Sequence, residues 1–98
     1  MHSLDLLQIA LETARKNGFS IRREWLAGVA GGKCRLGGKK IIFVDSSLSI
    51  LEQLEQVTSS LATESNLSLL DLDPALSKVI RATREARSDL ASTATATT

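Results

Sequence analysis

Apolar positions along the chain change period several times, and each change marks an element. Leu4, Leu7, Leu11 and Ala14, flanked by Leu6 and Ala10, recur at helical spacing. Ser3 is placed to cap that helix, Asp5 lies in its first turn and Arg15 and Lys16 in its last, and Asn17-Gly18 supplies a left-handed stop. Phe19, Ile21 and Trp25 then stand among Ser20, Arg22 and Glu24 with the period of two of a half-buried strand. Gly28, Gly31 and Gly32 interrupt any regular element. Lys33 to Leu36 and Lys39 to Asp45 read as two strands joined by Gly37-Gly38, a spacing that favours a primed hairpin turn.

Beyond Ile41-Ile42-Phe43-Val44, Ser49 and Glu52 stand three apart in a capping-box arrangement, and Ile50, Leu54, Val57 and Leu61 follow at helical intervals. Residues 63 to 72 turn polar and then Leu-rich, which fits an ordered connection or a short extra strand. Asp73-Pro74 pairs a good N-cap with the residue best tolerated at the first helical position, and Leu76, Val79, Ile80 and Thr83 carry a third helix toward an end near Ala86 or Arg87. Ser88 to Thr98 has no large apolar residue after Leu90 and is expected to be disordered.

The expected fold class is α+β: an N-terminal helix, a three-stranded antiparallel sheet with a Gly-Gly hairpin, and two C-terminal helices packed on one face. Consecutive strands joined by short connections favour the antiparallel arrangement. Residues 1–87 form the single domain and 88–98 an Ala/Thr-rich tail. A chain of 98 residues buries roughly 60 to 70% of its unfolded surface, enough for one core.

Composition adds constraints. Hydrophobic residues make up 43% and charged residues 23%, as in an ordinary globular domain, and the three aromatics, Phe19, Trp25 and Phe43, leave the core to aliphatic side chains. The lone Cys34 cannot form an internal disulfide, and no apolar run spans a bilayer or follows a basic N-terminus as a signal peptide would. These features favour a cytoplasmic protein without a membrane partner.

The net charge of +1 hides a segregation. Residues 15 to 40 carry eight cations against Glu24, whereas residues 41 to 77 carry six carboxylates and no cation. The two blocks can neutralise each other within the fold or face a partner separately. Arg22, Arg23, Lys33, Arg35, Lys39 and Lys40, with Trp25 beside them, are the candidate partner-binding residues, since cations on strands near an aromatic ring suit a phosphate backbone. The competing account is a solvated face paired with Glu52, Glu55 and Glu64. Lys78, Arg81, Arg84 and Arg87 spread around the third helix as a solvated surface.

No catalytic set emerges. Ala27 to Cys34 approximates a phosphate-cradling loop, but Ala27 replaces its first glycine, Cys34 replaces its magnesium-ligating hydroxyl, and Arg35-Leu36-Gly37-Gly38 cannot continue as a helix. Cys34 has Lys33 and Arg35 to favour a thiolate, yet the single histidine, His2, lies at the N-terminus, so a buried strand cysteine is the expected role. One His and one Cys do not furnish a zinc site, and Asp71-Leu72-Asp73 is explained by helix initiation. Catalytic, metal and cofactor sites are therefore expected to be absent.

The segment from Gly31 through Asp45, followed by Leu48-Ser49 and Glu52-Gln53-Leu54, resembles a group of small uncharacterised bacterial proteins with a Gly-Gly-x-Cys-Arg hairpin. More distantly, residues 4 to 62 resemble the sheet-to-helix entry of ImmA/IrrE-type metallopeptidases. That family's zinc-binding His-Glu-x-x-His would fall around Val57 to Ala62, where this chain has Thr58, Ser59, Ser60 and Ala62. The resemblance thus implies a metal-free scaffold. The functional expectation is a non-enzymatic interaction or regulatory domain that binds a protein partner or itself, with nucleic-acid or anion binding through Arg22 to Lys40 as the alternative.

Overall fold

A computed structural model describes the backbone of residues 2–27 and 31–96 and the side chains of residues 2–27 and 31–89. The elements run α1 (Ser3–Lys16), β1 (Phe19–Glu24), β2 (Gly32–Leu36), β3 (Lys39–Asp45), α2 (Ile50–Ala62), a short 3-10 turn (Leu69–Asp71) and α3 (Pro74–Ala96). The fold is α+β, and the order of helix, three strands and two helices is the one expected. The glycine-loop reading at Gly28, Val29 and Ala30 lies outside the described residues.

The sheet is mixed, which corrects the expected antiparallel arrangement. Its strand order is β1-β3-β2, with β1 parallel to β3 and β2 antiparallel to it. Two physical features place β3 in the centre. Its run Ile41-Ile42-Phe43-Val44 is apolar at every position, which suits a strand flanked on both sides, whereas the cation-rich β1 and β2 suit edges. The segment between β1 and β2, residues 25–31, reaches up to about 23 Å when extended, against the ~10 Å of two strand spacings. The chain therefore has length to pass the end of β3 and enter the sheet on its far side.

That crossing is held at two points. Asp45, 1% exposed at the end of β3, accepts hydrogen bonds from the Leu26 amide (3.0 Å) and from the amide and hydroxyl of Ser47 (2.9 and 2.6 Å). Gly31 passes so close to β3 that a Cβ there would lie 2.7 Å from the Phe43 carbonyl oxygen and 2.9 Å from the Gln56 side-chain nitrogen. Gln56 in turn accepts the Asp45 amide at 2.8 Å, tying α2 to the same strand end.

The apolar stripes of the helices meet on one side of the sheet. Leu7, Ala10, Leu11 and Ala14 of α1 and Leu54, Val57 and Leu61 of α2 bury Phe19, Ile42 and Val44, and Leu76 and Ile80 of α3 complete the same core from beside α1 and α2. Each fully buried Leu or Ile contributes about 1.5 to 3 kcal/mol through burial. Leu4, expected on the inner stripe, is 50% exposed because it precedes the covered part of α1.

Helix ends follow the sequence signals with two corrections. Ser49 and Glu52 form the capping box of α2, and Asp73 accepts from the amides of Ala75 and Leu76 at the start of α3. Ser3 is the first residue of α1 rather than its cap, a position held by His2 without a side-chain bond. The end of α3 expected near Ala86 or Arg87 is replaced by helical backbone continuing to Ala96, through the tail expected to be unordered. No glycine or proline follows Pro74, so no residue there stops a helix, and alanine favours its extension. Residues 63 to 72 contain the 3-10 turn and no strand, and Arg84 spans them by donating to the carbonyls of Ala62 (2.9 Å) and Glu64 (3.1 Å).

Candidate functional site

The alternation of side chains along each strand divides the seven candidate residues between opposite faces of the sheet. In register, Arg23 stands beside Val44, Lys33 opposite Ile42, and Arg35 opposite Lys40, so these four charged residues share the helix-bearing face. Arg22, beside Phe43, and Lys39, opposite Leu36, belong to the other face. Trp25 follows the end of β1 and is 73% exposed, which corrects its expected place on the half-buried strand face: the strand ends at Glu24, so Trp25 lies outside the ladder and its alternation.

Two of these cations bond to other elements of the fold. Arg23 donates to the Gln53 side-chain oxygen at 2.8 Å. Lys40 lies 3.0 Å from the Glu64 carboxylate, donates to the Asn17 carbonyl at 3.2 Å and sits 4.3 Å above the Phe19 ring. Arg22 pairs with Glu24 at 3.0 Å on the exposed face and lies 5.8 Å from the Phe43 ring centre. The two charge blocks of the sequence therefore meet at Lys40 and Glu64 but do not cancel throughout.

Lys39 of β3 remains exposed on the other face, and two further cations stand together on β2. Lys33 and Arg35 are exposed, and neither makes a salt bridge among the described residues. They line a cleft of about 310 Å³ with Phe19, Cys34, Lys40 and Glu64. Lys33 also borders a second cleft of about 520 Å³ that runs from Gly31 toward Gln56 and Ser60 of α2 and Thr63 just beyond it. Lys33 is common to both clefts.

The backbone of β2 has a matching asymmetry. Gly37 and Gly38, at φ +57° and +80°, form the two-residue primed turn expected between β2 and β3. Such a turn closes on a hydrogen-bonded pair, here Leu36 with Lys39. The ladder then directs the N–H and C=O groups of Cys34 and Gly32 toward β3, and those of Lys33 and Arg35 outward. Among the described residues no strand pairs with this outer edge. The sequence located the cations but not this coincidence, because β2 becomes an edge only through the strand order β1-β3-β2, which pairs β3 with both earlier strands.

The sheet face away from the helices carries Cys34 and Leu36 of β2 beside Ile41 and Phe43 of β3. Cys34 is half-buried rather than buried, since only neighbouring strand residues shield that face. On α2, where the metallopeptidase resemblance would put ligands, Thr58 and Ser60 direct their hydroxyls to the carbonyls of Leu54 and Gln56 at 2.9 Å. Among the described residues no three His, Cys, Asp or Glu side chains are grouped to hold a metal ion, and no helix is long and apolar enough to cross a membrane.

Comparisons with protein-family models, curated proteins and solved structures return no match for this chain, so the functional reading rests on the geometry of its residues.

Proposed function

We propose that this chain is a non-enzymatic interaction domain that receives an extended segment of a protein partner along the outer edge of β2. The observation that carries the reading is the outward backbone of Lys33 and Arg35, whose side chains line an adjoining cleft. An unpaired strand edge adds a partner strand through main-chain hydrogen bonds, and flanking side chains select the sequence. Cys34 as a free thiol suits a reducing, cytoplasmic setting. The likeness to a metallopeptidase scaffold is, on this reading, one of frame alone.

The reading is tested by selecting short random peptides on the native chain and on Arg35→Pro. Proline at this outward-facing position removes an edge donor without removing a ladder bond. Peptides enriched on the native chain and lost on the proline variant are the expected result. Equal enrichment on both, or none on either, contradicts edge addition.

Nucleic-acid binding is the second reading, favoured by the unpaired Lys33 and Arg35. Arg22 and Lys40 are paired with Glu24 and Glu64, and the remaining cations divide between the two faces of the sheet, so a single strand on either face is expected to show only a shallow salt dependence.

A further inference from the structure

Resting on the reading of β2 as a docking edge, we infer that the segment it takes is acidic and alternating: two carboxylate side chains two residues apart, with an apolar residue between them. The edge has only two outward-facing residues, Lys33 and Arg35, and both side chains point to the helix-bearing side. A strand added there puts the residues opposite them on that same side, with Cβ atoms about 5 Å apart, where opposite charges attract and like charges repel. Glu64 does not supply those charges, because its carboxylate is engaged by Lys40. The residue between the two carboxylates falls on the other side of the sheet, next to Cys34, whose own register partner is Ile41. Ile41 is 7% exposed and Leu36 53% exposed, so an apolar side chain there extends an existing apolar row and covers exposed leucine.

The same geometry argues against a second copy of this chain as the occupant. An isologous antiparallel pairing of two β2 edges sets Lys33 against Arg35, Lys33 against Lys33, or Arg35 against Arg35, according to where the two-fold axis falls. Each register centred on these residues therefore opposes cation to cation, and only a slipped pairing that shortens the ladder avoids it. A nucleic acid would satisfy the charges but not the outward N–H and C=O pairs, nor the apolar row.

The experiment uses the full chain and three fluorescein-labelled decapeptides that differ only in a central Glu-Val-Glu, Gln-Val-Gln or Lys-Val-Lys, followed by anisotropy at roughly 20 mM and 150 mM salt. The Glu peptide is expected to bind about tenfold tighter than the Gln peptide at low salt, with the difference shrinking at the higher salt. In Lys33→Glu/Arg35→Glu the preference inverts to the Lys peptide, whereas Lys39→Glu, on the opposite face, keeps the native order. N-methylation of the peptide backbone at the central residues' edge-facing amides abolishes binding.

Equal affinity for the Glu and Gln peptides overturns the acidic motif and leaves edge addition standing. Failure of all three peptides to bind overturns both. Insensitivity to N-methylation, or stronger binding of an oligothymidylate than of the Glu peptide in the same salt, also overturns the inference. Because charge reversal is read as an inverted preference rather than a loss, a variant that merely fails to fold cannot imitate the expected result.

Discussion

The Asp45 carboxylate accepts the amide hydrogen of Leu26 at 3.0 Å, joining the end of β3 to the chain that has just left β1. One oxygen of Asp45 also receives the amide and hydroxyl of Ser47, so a single buried atom holds both the strand crossing and the entry to α2. Without that crossing β2 would not occupy the far edge of the sheet.

Asp45→Ala leaves the Leu26 and Ser47 amides without their acceptor, and a charged acceptor bond is worth about 1.5 to 3 kcal/mol. A stability loss of about 2 to 4 kcal/mol is expected in urea denaturation. Asp45→Asn keeps an acceptor oxygen in place and should lose less. Equal losses from the two variants would show that the acceptor is not what Asp45 supplies.

Gly31 is required by space rather than by backbone conformation. A methyl group there meets the Phe43 carbonyl, which is backbone and cannot swing aside. Gly31→Ala is expected to cost about 1 to 3 kcal/mol, in the range of overpacked sites. A thermal midpoint equal to that of the native chain would place the crossing farther from β3.

The Lys40 and Glu64 side chains are 25% and 12% exposed, between surface and buried pairs. A double-mutant cycle with Lys40→Met and Glu64→Gln should give a coupling of about 1 to 2 kcal/mol, above exposed pairs and below the penalty of a stranded buried charge. The coupling should also survive moderate salt better than that of Arg22 with Glu24, which are 55% and 45% exposed. Equal salt sensitivity would contradict the difference in burial.

The parts of this architecture that are written locally were legible in the sequence. Ser49 and Glu52, Asp73-Pro74, Asn17-Gly18 and Gly37-Gly38 act within a few residues of themselves, and each produces its expected cap or turn. Strand order was not legible, because it depends on Asp45 meeting Leu26 and Gly31 meeting Phe43 across a long connection. The apolar run of β3 signals a central strand, a cue outweighed by the short connection that suggested neighbouring antiparallel strands. The basic residues were visible as a block, but a block has no faces. The register then places Arg23, Lys33, Arg35 and Lys40 on one face, and only the strand order and the bonds to Gln53 and Glu64 set Arg23 and Lys40 apart from Lys33 and Arg35 at the edge of β2.

Backbone amide hydrogen exchange, resolved by residue, tests the edge most directly. In the free chain the amides of Cys34 and Leu36 should be protected and those of Lys33 and Arg35 should exchange freely. On addition of the Glu-Val-Glu peptide, Lys33 and Arg35 should gain protection while Cys34 changes little. Protection of Lys33 and Arg35 before any peptide is added, or protection that arises on β1 and leaves β2 unaltered, would contradict β2 as the docking edge.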